Sequence, residues 1–387
     1  MEIYALDNTF RKRVVIDDFD SIVWCERFND LGDFQVVTAD TSANRGRFRR
    51  GVYLMHNLSD RVMQIGTVIA TTDEERRRIL KLSGRSVEKV LTGRLAWPSA
   101  GGAVNPDAPW TLSYTPLNLL NFLIDRSINP TTGLYTNDRL SNISKSRVGY
   151  PADGIPASVD VVTWVVPRPS TAWSEIKSVM DTYSLGYRMY ATGLNGVVYS
   201  NAYTGTNRSI DQTANPTVIF SPDLDNINSL SSISSIQDQV THVSVYSSYG
   251  GTHVFLNDPT QWDRVFVPIE ITEPSGLTSA QRAEYRTAKG HEYLRNNTPI
   301  FALDGEVSKN SGYVYNQDYY LGDLVTLEDG TGNRNTMRVV EQIFSQDEKG
   351  EQSYPTFKTE LVITADSWLG YNPATVWPDA PGMWNEQ

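Results

Sequence analysis

The sequence predicts a mainly β protein with some α-helix (α+β), divided into several domains. Aromatic residues make up 11% of the chain, with 20 Tyr, 12 Phe and 9 Trp, and such side chains pack well on pleated sheets. Short apolar runs alternate with Gly, Pro, Asn and Ser along most of the sequence. At 387 residues, the chain is also longer than one hydrophobic core usually serves.

We expect the first β domain over residues 1–97. Its strand-like runs fall at residues 2–6, 14–16, 21–28, 34–37, 51–55, 62–71 and 78–82. Strands this short, separated by turn residues, are typical of a small antiparallel sheet or barrel. A short helix is predicted to follow at residues 86–91.

The middle of the chain mixes loops, helices and strands. Residues 98–170 read as an insertion, with a Pro- and Gly-rich loop followed by a mostly buried helix over 115–128. Residues 171–262 predict an α/β domain that begins with an amphipathic helix at 173–183. A hairpin follows, with Asn195-Gly196 as its turn, and the Ser-rich residues 229–235 are interpreted as an ordered loop.

The last third returns to β-structure after a connection over residues 263–298. That connection holds an alternating strand and a helix, and Thr278 and Gln281 have the spacing of a capping box. Residues 299–365 predict a C-terminal barrel-like β domain, and residues 366–387 an extended tail. The tail carries Trp368, Trp377 and Trp384.

Charge and composition exclude several functions. A net charge of −11 argues against clamping nucleic acid by neutralising its phosphates, although DNA could slide past such a surface without sticking. The sequence begins without a secretory signal and has no apolar run of membrane-spanning length. We therefore expect synthesis and folding in a reducing cytoplasm, with no cofactor and no metal.

No catalytic motif is apparent. Asp17-Asp18 and the pair Asp223 and Asp225 are interpreted as turn or edge acids, although a glycosidase pair formed by distant carboxylates stays open. Cys25 is expected to be a buried structural thiol. The histidines lack metal-ligand spacing, and His291 is expected to be solvated on a polar helix.

The basic stretch at residues 45–50, RGRFRR, has three interpretations. It could touch nucleic acid, pair with acids of a neighbouring subunit, or form a solvated loop. On an acidic chain, we favour the subunit contact over the nucleic acid.

Leu31-Gly32-Asp33 and Leu321-Gly322-Asp323 both precede an apolar strand. This repeat is either chance or the mark of two related β domains, one at each end of the chain.

The segment 16–37 resembles the opening of a siphophage tail family. Its members are tail-hub or minor tail proteins of phages of Gram-positive hosts, including actinobacteria. The matching residues are Ile16, Asp17, Phe19, Ser21, Trp24, Arg27, Phe28, Gly32, Asp33 and Phe34. Residues 82–95, with Gly84 and Arg85, resemble a second family element, and residues 218–230 a third. Residues 319–327, with Tyr320, Leu321, Gly322 and Asp323, resemble the hub signature.

This resemblance implies a non-enzymatic tail-tip hub with two tube-like β-barrel or sandwich domains and helical insertions. Three copies would present six such domains to a sixfold ring, with DNA passing through the lumen. The implied partners are a distal tail ring protein, the tail tube, the tape-measure protein and tip or receptor-binding proteins. Two alternatives remain: a tip protein that binds host-wall glycans through exposed Trp residues, and a wall-opening enzyme.

Overall fold

We describe the fold from a computed structural model. It describes residues 1–96, 110–128, 140, 142–144, 161–166, 170–235, 240–255, 264–297, 300–307, 312–328, 334–348 and 350–359.

Strands dominate these residues, as the sequence predicts. The N-terminal strands are β1 (Ile3–Leu6), β2 (Lys12–Ile16), β3 (Ser21–Arg27), β4 (Asp33–Ala39), β5 (Tyr53–His56), β6 (Met63–Thr72) and β7 (Arg78–Ser86). The middle strands are β8 (Trp110–Tyr114), β9 (Ile143–Ser144), β10 (Val162–Val166), β11 (Gly186–Ala191), β12 (Val198–Tyr203), β13 (Ile219–Phe220) and β14 (Ile227–Ser235). The remaining strands are β15 (His242–Ser247), β16 (Gly250–Phe255), β17 (Phe266–Glu270), β18 (Ile300–Val307), β19 (Leu324–Glu328), β20 (Arg334–Asp347) and β21 (Gly350–Thr359).

The helices are α1 (Ser42–Arg47), α2 (Pro116–Ile128), α3 (Ala172–Tyr183) and α4 (Ser279–Asn296), together with short 3₁₀ turns at Val87–Gly93 and Pro222–Leu224. The structure confirms the three long helices that the sequence predicts. The capping box of α4 is also present, because Thr278 and Gln281 each bond the backbone of the other.

One eleven-stranded sheet joins the two ends of the chain. Its order is β13-β19-β20-β3-β4-β7-β6-β5-β1-β2, with β21 also paired to β20. The link is the antiparallel pairing of β20 with β3, from Glu341 with Arg27 to Gln346 with Ile22. Among the described residues, these pairings do not close into a ring. The division into separate N- and C-terminal domains stays a prediction.

Separate apolar clusters stabilise the parts of the fold. Trp24, Phe34 and Ile16 belong to the cluster under the N-terminal strands, whereas Leu321 belongs to one under β19 and β20. A third cluster packs α2 and α3 against β11 and β12. Helix α4 lies on the sheet β16-β15-β17, whose inner valines it covers.

One local prediction is wrong, and a second stays open. Residues 229–235 are not a loop but part of strand β14, which pairs antiparallel with β18 along its length. Partner hydrogen bonds outweigh the weak intrinsic β-propensity of Ser there. Residues 45–47 of the basic stretch lie in helix α1 and not in a loop, and the Arg45 guanidinium pairs with Asp40 at 2.7 Å. A contact of this stretch with a neighbouring subunit stays a prediction.

Candidate functional site

The first motif group forms the centre of the N-terminal sheet. The rings of Trp24 and Phe34 lie 5.5 Å apart in its core. Gly84 faces Phe34 across the β4–β7 pair, and a Cβ on Gly84 would lie 1.9 Å from the carbonyl oxygen of Gln64 and 2.5 Å from the Phe34 ring. No other residue fits this position without moving the backbone, so Gly84 is required by packing.

The first Leu-Gly-Asp turn is held by Arg27. Its guanidinium donates to the carbonyl oxygen of Leu31 at 2.7 Å and to the Asp33 carboxylate at 2.6 Å. It also reaches Glu341 in β20 at 2.6 Å. Arg85 adds a contact to Asp33 at 3.1 Å. Arg27 therefore ties this turn to the C-terminal strands.

The second Leu-Gly-Asp turn is buried. The Asp323 carboxylate accepts hydrogen bonds from the backbone N–H of Thr206 at 2.7 Å, Nε of Arg208 at 2.8 Å and the backbone N–H of Tyr320 at 3.0 Å. Burial raises the pKa of Asp323 above its ordinary value, against the opposite effect of these donors. Gly322 adopts a φ of +90°, which favours glycine.

Phe28 lies between the parts of the chain that carry the motifs. A Cβ on Gly322 would meet the Phe28 ring at 2.4 Å, and one on Gly186 would meet it at 2.3 Å. The Phe28 backbone donates to Val340 of β20 and accepts from Tyr187 of β11. One buried residue thus joins the N-terminal sheet, the α/β segment and the C-terminal strands.

The motif residues are therefore brought together in two groups, one around Trp24 and one around Asp323, with Arg27 and Phe28 between them. Asp17 belongs to neither group and is exposed. Tyr320 is half-buried, with the Arg208 guanidinium 5.9 Å from its ring centroid. The described motif residues have packing and pairing roles in the fold; whether they also have a function in assembly stays a prediction.

Sequence reasoning missed an acid–base cluster formed by Glu26, His56, Arg61 and Glu88. Nη1 of Arg61 donates to Oε1 of Glu88 at 2.9 Å, and Nε of Arg61 lies 4.0 Å from Oε2 of Glu26. The backbone N–H of Met189 in β11 donates to the same Glu88 oxygen at 2.6 Å. All four side chains are buried. They come from separate parts of the sequence, so no local pattern indicated that they would meet.

Glu26 is surrounded by hydrogen-bond donors. Nε1 of Trp24 and the hydroxyl of Tyr315 each donate to its carboxyl group at 3.2 Å, and the Ser59 hydroxyl donates as well. Burial nevertheless raises the pKa of Glu26 to about 7, because desolvation outweighs Arg61 and the donors.

His56 completes the cluster. Its Nδ1 accepts from the backbone N–H of Leu58 at 3.2 Å. Its Nε2 is buried with no hydrogen-bond partner among the described residues, 3.9 Å from Oε1 of Glu26. The rings of Trp24 and Phe344 lie against it at 4.8 and 4.6 Å. Burial lowers the pKa of His56 to about 3, and the positive charge of the Met1 amino group acts in the same direction.

The other candidate residues do not form a catalytic arrangement among the described residues. Cys25 is buried, as predicted, and burial raises the pKa of its thiol to about 12. The prediction for His291 is wrong: it is buried, and burial lowers its pKa to about 4. The face of α4 is less apolar than usual, which concealed this burial.

His242 and His253 lie together with two phenylalanines on the outward face of β15-β16-β17. Their ring centroids are 5.4 Å apart, and Phe266 lies 4.4 Å from His242.

Within the described ranges, no group of three or more His, Cys, Asp or Glu residues is arranged to hold a metal ion. No helix in the described part of the chain is long and apolar enough to cross a membrane. Trp368, Trp377 and Trp384 lie outside the described residues, so glycan binding by them stays a prediction.

The whole fold resembles those of phage tail proteins. The tail protein from Neisseria meningitidis MC58 superposes with a TM-score of 0.56 at 13% identity, covering 93% of this chain and 96% of that one. The 43 kDa tail protein of prophage MuSo2 from Shewanella oneidensis gives 0.55 at 11% identity, covering 93% and 98%. Prophage tail protein gp18 from Listeria monocytogenes EGD-e gives 0.53 at 12%, covering 97% and 99%.

The sequence makes the assignment more specific. Residues 1–357 match the profile of the Siphovirus ReqiPepy6 Gp37-like proteins, and the chain belongs to that family. No curated protein sequence matches it. The chain is thus a phage tail protein with a structural role, which confirms the class that the motifs predicted.

Proposed function

We propose that this protein is a hub subunit of the siphophage tail tip and that it acts by assembly, without catalysis. Family membership over residues 1–357 supports a tail role. The observation that carries the proposal further is a pair of exposed, almost uncharged rows on one face of the large sheet, beside a row of that face that holds Asp33 and Arg85. In such a chain, where charged residues make up 20%, a face of this kind indicates a protein interface.

The strand register defines this neutral face. Val23, Gln35, Ser83 and Thr67 lie side by side across β3, β4, β7 and β6. The next row is Val37, Lys81 and Ile69, and Lys81 is the only charged member of the group. Val23 and Ile69 expose 48% and 52% of their surface. We assign this face to contact with a second copy of the chain, in a homotrimer.

Sedimentation of the purified full chain tests the assembly. We expect a trimer, and we expect Val23→Glu combined with Ile69→Glu to give monomers, because both charges would have to be desolvated at the interface, the one at position 69 with only Lys81 beside it. Leu194→Glu is the matched control, since Leu194 is 77% exposed but lies in the β11–β12 turn, outside the neutral face. A monomeric wild type, or a double variant that still forms trimers, would contradict the proposal.

The tip location and the passage of DNA are further parts of the proposal. The net charge of −11 supports a lumen past which DNA moves without sticking. The proposed partners are a distal ring protein, the tail tube, the tape-measure protein and tip or receptor-binding proteins. The Gram-positive host and assembly in the host cytoplasm stay predictions.

Immunogold electron microscopy of intact virions tests the location. Antibody against this chain should label the end of the tail away from the head. Label along the whole tube, or virions that lack the chain, would contradict a tip hub.

A further inference from the structure

The acid–base cluster contains more buried acid than its cation can neutralise. Arg61 contacts two buried carboxyl groups, and its guanidinium is closer to Glu88, at 2.9 Å, than to Glu26, at 4.0 Å. Asp60 adds a further negative charge near Glu26. An ionised Glu26 would thus be a poorly compensated buried charge, which is costly. Burial and the excess of acid therefore favour a neutral, protonated Glu26, against the opposite effect of its hydrogen-bond donors.

The hydrogen bonds of His56 favour a neutral imidazole. Because Nδ1 accepts from the backbone N–H of Leu58, the ring proton belongs on Nε2. Protonating Nδ1 would place two N–H donors face to face. A charged imidazolium would therefore lose the hydrogen bond from Leu58 in a buried site. Nε2 points into the cluster, 3.9 Å from Oε1 of Glu26.

Protons can reach this pair from one side. A cavity of about 320 Å³ is lined by His56 and Ser59, together with Lys12, Asp60, Asn316 and Tyr320. Ser59 donates to Glu26, so the cavity borders the cluster directly. Water in it would allow proton exchange without unfolding of the whole chain.

The cluster also lies where three parts of the chain meet. Glu26 belongs to β3, and Tyr315, which precedes β19, donates to it. Glu88 accepts from Met189 of β11. Tyr203 of β12 lies 3.4 Å from Nη2 of Arg61. Separating these parts would expose Glu26 and His56 to water together.

We propose that Glu26 and His56 are a buried, uncharged acid–base pair whose members both ionise when this junction opens. Glu26 then releases a proton to water, and His56 takes one up, so opening exchanges protons without net uptake. With both residues present, the opening constant of the junction would stay nearly the same over a range of acidic pH. With either residue alone, the opening constant would change with pH over that range.

The range follows from the two titrations. The pKa of Glu26 is raised from 4.5 to about 7. Its contribution to the stability of the closed junction is therefore full below pH 4.5 and is lost as pH rises through 7. The pKa of His56 is lowered from 6.5 to about 3. Its contribution to the stability of the closed junction is therefore present above pH 6.5 and is lost as pH falls through 3. Each changes the opening constant by about tenfold per pH unit, and in opposite directions, where the ranges overlap.

Hydrogen exchange at the Tyr187 and Met189 amides of the full chain tests the proposal, after correction for intrinsic exchange. Wild type should show a nearly constant opening constant from pH 4.5 to 6.5. In Glu26→Gln the constant should fall by about 50-fold as pH rises over that range, and in His56→Asn it should rise by about 40-fold. Asn keeps an acceptor for the Leu58 N–H.

The double variant Glu26→Gln with His56→Asn should again be nearly flat. Glu270→Gln, which changes an exposed carboxylate on β17, is the control and should follow wild type. If the opening constant of either single variant depends on pH in the same way as that of wild type, the pair does not exchange protons on opening. If Glu26→Gln fails to fold, the rising profile of His56→Asn decides the matter alone.

Discussion

Replacing Asp323 by Ala should destabilise the protein far more than the same change at Asp33. The two residues occupy the same position in the two Leu-Gly-Asp turns. Asp323 is buried and compensates the guanidinium of Arg208 at 2.8 Å. Removing it leaves a mostly buried cation and two backbone N–H groups without their acceptor, which costs about 3–5 kcal/mol of unfolding free energy.

Asp33 is the matched control within the same chain. Its side chain is 37% exposed, and Arg27 keeps its contact with Glu341 when Asp33 is removed. An exposed pair of this kind contributes about 1 kcal/mol or less. The two variants should therefore differ by at least about 2 kcal/mol, or roughly 30-fold in the ratio of folded to unfolded protein.

Urea unfolding followed by tryptophan fluorescence measures the difference, with circular dichroism to check that both probes report one transition. Equal losses for the two variants would refute the reasoning, because burial would then not decide the value of these carboxylates. A larger loss for Asp33→Ala would refute it more strongly.

The remaining predictions concern packing, capping and reactivity. Gly84→Ala should cost about 3 kcal/mol or more in urea unfolding, because its Cβ would meet the carbonyl oxygen of Gln64; near-wild-type stability would disprove the close approach. Thr278→Ala should cost about 1 kcal/mol by removing the capping box of α4, whereas Ser279→Ala should change little; equal effects would argue against the box. Cys25 should react with a thiol reagent at pH 8 only after unfolding, since burial raises its pKa to about 12; rapid labelling of the native protein would count against this.

Local patterns in the sequence predicted the elements that local physics decides. The apolar spacing of α2 and α3 and the capping box at Thr278 are short-range signals, and the structure confirms them. The Asn195-Gly196 turn likewise joins β11 to β12, with Gly196 at a φ of +73°. Each signal needs only neighbours within one or two turns of chain.

Features that depend on distant partners could not be predicted in this way. Residues 229–235 form a strand because β18 supplies their hydrogen bonds from some seventy residues further along. His291 is buried because α4 packs against other elements of the fold, among them α3, β10, β15 and β16, and not because its own helix is apolar. Glu26 and Glu88 share Arg61 across three separate segments, so no spacing in the sequence indicates their contact.

The same distinction explains why the two Leu-Gly-Asp turns have the same sequence but different surroundings. Leu31-Gly32-Asp33 and Leu321-Gly322-Asp323 precede strands of one sheet, but Asp33 is a half-exposed partner of Arg27, and Asp323 is buried. Their connection runs through β3 and β20, where Arg27 meets Glu341 at a sequence separation of 314 residues. Such contacts close a long loop, so pairing β3 with β20 has a larger entropic cost of loop closure than pairing strands that are neighbours in the sequence. The strength of the β3–β20 pairing, rather than the similarity of the two turns, therefore determines whether the two ends of the chain behave as one unit.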